Sequence, residues 1–235
     1  METENSRRTR IRGAYRSVAG ASRFYEGMIT CSTLAGKIVC RAVWKMGWRE
    51  NEIYLAEALR GIPGGFSGRM LEVPVGTGVI TMPVYRELPN AEVQCMDYSE
   101  DMLAFAWRRA DAYGLKHVSF TQGDIGALPF EDDSFDLVLS LNGFHAFPDK
   151  ESAYREVYRV LKPGGVFCGC FYIAGECVRT DWIIRHLYVP KGYFTPPFET
   201  LESLKARLMG SYTDGTISSV RSMGCFCCHK PKTAE

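Results

Sequence analysis

From about Arg69 onward, short apolar runs alternate with segments of helical spacing. Met70–Val75, Val93–Met96, Val118–Thr121, Phe135–Leu141 and Val166–Ile173 read as buried strands. Between them Ile80–Leu88, Glu100–Tyr113 and Glu151–Val160 carry apolar residues at helical spacing. Ser99 and Asp149 stand where N-caps are expected, and Glu100 and Asp101 favour the positive end of their helix. The alternation predicts an α/β fold, a doubly wound and mostly parallel sheet with helices on both faces. Near the C-terminus the rhythm changes. Thr200–Met209 reads as a helix, and Ile217–Ser222 and Cys225–Lys230 as two strands joined only by Met223-Gly224, too tight for anything but an antiparallel pair. The expected sheet therefore has seven strands and an antiparallel C-terminal edge.

Upstream, Ile29–Trp44 has helical character. Leu34, Ile38 and Ala42 lie on one side, and Lys37, Arg41 and Lys45 recur on another. This predicts a helical cap over residues 23–68 that packs its apolar side on the sheet domain, with surface contact to a membrane as the second reading. The glycines and proline of residues 61–68 mark a hinge, so the sheet domain is expected over 69–235, with an insertion at about 176–199.

Charge narrows the partners. The net charge is +1 and the pI about 7.5, which gives no general case for nucleic acid. Arg7, Arg8, Arg10, Arg12 and Arg16 crowd a polar segment, residues 1–22, read as a tail. No run is long and apolar enough to span a membrane and no signal peptide opens the chain, so a cytoplasmic location is expected. The nine cysteines sit inside apolar runs without framework spacing, which favours reduced, buried thiols over disulfides. Cys168 and Cys170 alternate on the fifth strand and Cys225, Cys227 and Cys228 lie near His229 on the last. Buried strands are poor sources of metal ligands, and no metal is expected.

The chemistry begins at Leu71-Glu72-Val73-Pro74-Val75-Gly76-Thr77-Gly78, an apolar run with one carboxylate that stops at a glycine turn. A strand entering a glycine turn before a helix brings backbone close to a nucleotide-like ligand. The dinucleotide fingerprint is broken at Thr81, and the Gly-Lys-Ser/Thr of a phosphate loop is absent. Asp97, about twenty residues on at the end of the next strand, suits the two hydroxyls of a ribose. Gly123-Asp124-Ile125 offers a further carboxylate after the third strand. Leu161-Lys162-Pro163-Gly164-Gly165 reads as a helix end and turn leading into the fifth strand.

Together, LEVPVGTG (71–78), VQCMDYSEDML (93–103), GDIGALPFEDDSFDLVLS (123–140), the segment 143–149 and RVLKPGG (159–165) resemble the class I S-adenosylmethionine-dependent methyltransferases. The likeness is to the small-molecule group related to the ubiquinone/menaquinone methyltransferases, and it covers roughly Phe24 to Lys230. It implies the Rossmann-like form of the fold and S-adenosylmethionine as cofactor, leaving S-adenosylhomocysteine. By this resemblance Glu72, Gly76 and Gly78 line the methionine part, while Asp97 takes the ribose with Tyr98 and Met102 beside it. Asp124 and the Ile125 backbone take the adenine, and Leu141, Asn142 and Gly143 flank the sulfonium. Val75, Thr77, Gly123 and Tyr25 complete the expected cofactor set. One departure stands out: Pro74 replaces the family's usual first glycine, and a proline there removes a donor and fixes φ.

Methyl transfer from a sulfonium mainly requires alignment and exclusion of water, so no catalytic side chain is obligatory. His145 is the candidate general base. Tyr25, Met28, His145, Trp182, His186, Tyr188, Tyr193 and Phe194 are candidates for a substrate wall suited to a planar or partly apolar small molecule; Pro190, Pro196 and Pro197 predict a rigid, loop-like insertion. A homodimer is allowed. The alternatives are a cofactor-binding regulatory protein without turnover and a nucleic-acid methyltransferase using the arginine tail. The acceptor, the atom methylated and the oligomeric state stay open.

Overall fold

The computed structural model describes residues 22–232, with side chains from Glu26. The arginine-rich tail therefore lies outside the described residues but for Ser22, and the Tyr25 side chain lies outside them too. Seven strands are described: β1 Arg69–Glu72, β2 Glu92–Asp97, β3 Val118–Gln122, β4 Phe135–Leu141, β5 Leu161–Tyr172, β6 Thr213–Val220 and β7 Met223–His229. The helices are α1 Ser22–Ile29, α2 Leu34–Val39, α3 Trp48–Leu59, α4 Thr81–Arg86, α5 Glu100–Ala112, α6 Lys150–Val160, α7 Val178–Ile183 and α8 Leu201–Ser211. Both α2 and α7 continue as a turn of π-helix, over Cys40–Trp44 and Ile184–Tyr188.

The sheet order is β3-β2-β1-β4-β5-β7-β6, parallel from β3 to β5 and antiparallel at β7 and β6. The expected fold class is borne out. Central strands alternate their side chains between two apolar layers. Met70, Leu137, Leu139, Cys168 and Cys225 meet Tyr54 and Ala58 of α3, Tyr85 of α4 and Ala106 of α5 on one face. Leu71, Val138, Phe167 and Phe226 meet Tyr154 and Val157 of α6 and Leu204 and Leu208 of α8 on the other. The expected caps form: Ser99 Oγ accepts from Met102 N at 3.4 Å and Asp149 Oδ1 from Ser152 N at 3.0 Å.

Four expectations are corrected. First, the helix expected over Ile29–Trp44 is broken: Cys31 has φ +50° and Thr33 caps a new helix through Gly36 N. Second, its apolar side faces outward. Leu34, Ile38 and Ala42 are exposed, because α2 approaches α1 through Gly36, where a Cβ would sit 1.9 Å from the Gly27 carbonyl oxygen. Third, the β6–β7 turn falls at Arg221 (φ +56°) and Ser222; Gly224 is inside β7, where Ile173 leaves no room for a Cβ. Fourth, the insertion at 176–199 opens as helix α7 before becoming loop.

Cys168 pairs in register with Cys227, and Cys170 with Cys225. All nine cysteines are free thiols, and among the described residues no cluster of three or more potential ligands could hold a metal. Next to them Gly169 has φ +153°, and a Cβ there would meet the Ser140 carbonyl oxygen at 1.9 Å. Gly169→Ala must therefore separate β4 from β5 at the core. We expect a loss of about 3 kcal/mol or more, seen as a thermal midpoint lowered by roughly 6–12 °C.

Candidate functional site

Where the strand order reverses, between β1 and β4, a crevice opens at the C-terminal ends of the strands. Two adjoining clefts occupy it, of about 500 and 560 Å³. The first is lined by Ile29, Glu72, Pro74, the Val75–Thr81 loop, Asp97, Leu141 and Asn142. The second is lined by Val73, Pro74, Asp97, Tyr98, Gly123, Asp124, Ile125, Ala146, Phe147 and Pro148. Pro74 and Asp97 border both.

The loop after β1 is held by its own backbone. Val73 N donates to Leu139 O, Val75 N to Met96 O and Gly78 N to Val75 O, all near 3.0 Å. Gly76 (φ +56°) and Gly78 (φ +65°) turn in the left-handed region. At Gly78 a Cβ would also strike Met82, whereas at Gly76 it would meet nothing within 4 Å. Pro74 packs on Gly143, whose Cβ position lies only 2.4 Å from Pro74 Cδ. The departure at Pro74 is thus matched by a glycine on the facing loop.

Asp97 ties the crevice together. Its Oδ2 accepts from Gly76 N and its Oδ1 from Ser99 N, each at 2.9 Å. Burial pushes its carboxyl up to about 6, and the amides of Ser99 and Gly76 oppose that rise. The Tyr98 amide also bonds this carboxylate, which leaves lone-pair capacity for a ligand hydroxyl. Glu72, fully buried at the base of the first cleft, accepts from the Tyr85 hydroxyl at 2.8 Å. Burial lifts its carboxyl to about 8, with the Tyr85 hydrogen bond opposing the rise, so the group holds a proton at neutral pH. Thr77 Oγ1 borders the same cleft, buried and without a partner. Asp124 Oδ1 accepts from Gly126 N at 2.9 Å, which fixes the turn carrying Gly123 and Ile125.

Most residues expected at the cofactor therefore converge: Glu72, Val75, Gly76, Thr77, Gly78, Asp97, Tyr98, Gly123, Asp124, Ile125, Leu141 and Asn142 border the clefts. Gly143 sits behind Pro74, and Met102 is buried inside α5's core face. The expected substrate wall divides. Tyr188, Tyr193 and Phe194 pack with Trp44 and Tyr172 in a third apolar cluster. Trp182 and His186 stack on each other at 4.7 Å and are exposed on the outer side of α7, bordering neither cleft. Met28 is partly buried, its carbonyl accepting from the Cys40 thiol.

His145 also borders neither cleft. Its ring is buried, stacked on Phe194 at 4.1 Å, and its Nδ1 accepts from Tyr172 N at 3.2 Å. Burial, with Lys150 nearby, drops its pKa to about 3. A neutral ring with one nitrogen occupied fixes the segment after β4 against the insertion. Thr195 N donating to His145 O and Lys150 Nζ to Thr195 O complete that seam.

Sequence patterns gave no sign of Arg109. From α5 it donates to the Thr77 carbonyl and pairs with Glu26 of α1 at 2.9 Å, strapping α1 across the glycine turn. A helix-surface arginine has no sequence signature for such a reach. Arg109→Ala is expected to weaken ligand binding at the crevice by about 1–2 kcal/mol, roughly five- to thirtyfold, with little change in thermal midpoint. Titration calorimetry with S-adenosylhomocysteine would detect it.

Residues 70–165 match the family model described as a methyltransferase domain. A demethylmenaquinone methyltransferase of Thermus thermophilus is 42% identical over 118 residues, covering 50% of each chain. A sterol 24-C-methyltransferase of Aspergillus fumigatus is 36% identical over 118 residues, 50% of this chain and 30% of that one. The aligned region spans about half the length of the demethylmenaquinone relatives. Among solved structures, a phosphoethanolamine N-methyltransferase of Haemonchus contortus in complex with S-adenosyl-L-methionine aligns with a TM-score of 0.65 at 20% identity, over 89% of this chain and 60% of that one. That likeness is one of fold.

Proposed function

We propose that this chain is a class I S-adenosylmethionine-dependent methyltransferase, a reading supported by the match of residues 70–165 to a methyltransferase domain, and that it methylates a small, apolar, ring-bearing acceptor. The observation that carries this is the crevice itself. Glu72, the glycine turn, Asp97 and Asp124 stand along it in the order that an amino acid, a ribose and a base require. The unpartnered Thr77 hydroxyl and the open lone pairs of Asp97 are the polar sites a nucleoside-bearing ligand would satisfy.

When bound, S-adenosylmethionine supplies an electrophilic methyl group. The chain's own residues supply position and dryness. Glu72 and the turn at Gly76 and Gly78 hold the amino-acid end, with Asp97 at the ribose hydroxyls and Asp124 and the Ile125 backbone at the base. Tyr98, Phe147 and Pro148, which line the second cleft, would cover the base from water. Leu141 and Asn142, at the end of β4, stand where donor and acceptor meet.

Among the described residues, the titratable side chains bordering the clefts are Glu72, Asp97, Tyr98 and Asp124, and three of them serve the cofactor here. Tyr98 lies at its base end. An acceptor that needs no enzymic base, such as an electron-rich ring carbon or an acidic phenol, fits that inventory. The names of the quinone and sterol relatives point the same way, and so does the aromatic cluster of Trp44, Tyr172 and Phe194, which packs on His145, the neighbour in sequence of the cleft residue Ala146. Titrating the full chain with S-adenosylmethionine should show one saturable site, and adding a hydroquinone should release S-adenosylhomocysteine. Binding without release for any acceptor would favour the regulatory alternative.

A further inference from the structure

Among the described residues nothing partners the outward side of α2, and α7 is held beside it. Leu34 is 77% exposed, Ile38 60%, Val178 85% and Trp182 56%. These residues belong to one surface. Thr180 Oγ1 donates to Val43 O at 2.7 Å and Arg179 Nη2 to Arg41 O at 3.0 Å, so the first turn of α7 grips the backbone on either side of Ala42. Leu34, Ile38 and Ala42 on one element and Val178 and Trp182 on the other are thus exposed apolar residues on two elements that these bonds hold together. Isolated exposed apolar residues are ordinary, but a contiguous stripe of large ones marks a contact.

The charge around the stripe is predominantly positive, although Glu176, which accepts from Ser219 Oγ, stands beside Val178. Residues 27–49 contain Lys37, Arg41, Lys45 and Arg49 and no acid. Residues 177–192 contain Arg179, Arg185 and Lys191 against one acid, Asp181, which is engaged by the Tyr172 hydroxyl and Gly175 N. None of these seven cations is ion-paired with a described residue. The chain's own first 21 residues suit this face poorly, since their five arginines outnumber Glu2 and Glu4. A second copy would bring the same positive rim.

We infer that the α2–α7 surface docks on an anionic lipid membrane, with Ile38 and Trp182 entering the interface and Lys37, Arg41 and Arg185 meeting the headgroups. Apolar residues on one side of a short helix with basic residues beside them are how a soluble domain lies on a bilayer surface without crossing it. No helix among the described residues is long and apolar enough to cross one. The surface adjoins the crevice: α1 ends at Ile29, which borders the first cleft, and leads directly into α2. The inference does not depend on which acceptor is methylated.

Co-sedimentation of the full chain with vesicles tests it, using phosphatidylcholine alone and equal parts phosphatidylcholine and phosphatidylglycerol. The chain should bind the mixed vesicles and not the neutral ones, and added salt should release it. Ile38→Glu with Trp182→Glu should weaken binding about tenfold or more, and Lys37→Glu with Arg41→Glu by a similar factor. All four side chains are exposed, so the far-UV signal and thermal midpoint should match the parent. As a readout independent of charge reversal, brominated lipid should quench the parent's tryptophan fluorescence more than that of Trp182→Phe. Failure to bind anionic vesicles would overturn the inference. So would binding that survives Ile38→Glu/Trp182→Glu but is lost when Arg7, Arg8 and Arg10 become serine. A solution dimer dispersed by Ile38→Glu, with no vesicle binding, would assign the face to a second copy.

Discussion

Replacing Asp97 by alanine is expected to weaken S-adenosylmethionine binding by about 1.5–3 kcal/mol, roughly 10–150-fold. Two losses combine. The ligand hydroxyls lose a charged acceptor, and Gly76 N and Ser99 N lose the carboxylate that orders the glycine turn and the start of α5. Asp97→Asn should fall between the two, keeping one carbonyl acceptor and no charge. Because burial places this carboxyl near 6, affinity in the parent should decline as pH falls through 6, and Asp97→Asn should flatten that decline. Calorimetry across pH 5 to 8 reads both effects, and an unchanged affinity in Asp97→Ala would remove the ribose assignment.

The second large effect concerns Glu72. Its ordinary carboxyl value is 4.5, and burial takes it to about 8. Between these values the folded chain holds a proton that the unfolded chain has released. This group's contribution to stability is therefore complete below pH 4.5 and is lost as pH rises through 8, a swing on the order of 4 kcal/mol. Glu72→Gln keeps an acceptor for the Tyr85 hydroxyl but cannot ionise. It should remove that part of the pH slope and leave the ligand-free chain more stable than the parent at pH 8. Function should move oppositely. A cationic amino group arriving beside Glu72 favours the carboxylate, so binding near pH 7 should expel close to one proton, visible as a binding heat that changes with the buffer's ionisation heat. In Glu72→Gln the proton release should vanish and affinity should drop about tenfold or more. Equal proton release in the variant would move the amino-acid end elsewhere.

Much of the frame was legible from sequence because each signal was local. Alternating apolar runs located the strands to within a few residues, Ser99 and Asp149 capped the helices predicted from them, and the glycine turn after Glu72 marked the crevice. Signals that depend on distant packing misled. Leu34, Ile38 and Ala42 have the period of a buried stripe, yet α2 packs through Gly36, because only a glycine lets its backbone reach Gly27. Gly224 resembled a turn residue but is a strand glycine flattened against Ile173. His145, Trp182 and His186 looked like site residues by chemical type alone. His145 is instead committed to Tyr172 N and Phe194, and the other two stack on the outside of α7. Arg109, Phe147 and Pro148 were not singled out, since their part in the crevice comes from tertiary reach rather than from spacing.

On the proposed function, the β1–β4 crevice directs methyl transfer to an apolar ring-bearing acceptor without an enzymic base. Its most direct test is mass spectrometry of a single mixture holding the full chain, S-adenosylmethionine, a reduced naphthoquinone, a sterol, a phenol, a small polar amine and an oligonucleotide. The expected result is S-adenosylhomocysteine in equal amount to one methylated ring compound, with turnover retained in a His145→Gln variant that stays folded. Methylation confined to the amine or the oligonucleotide, or turnover abolished in folded His145→Gln, would contradict it.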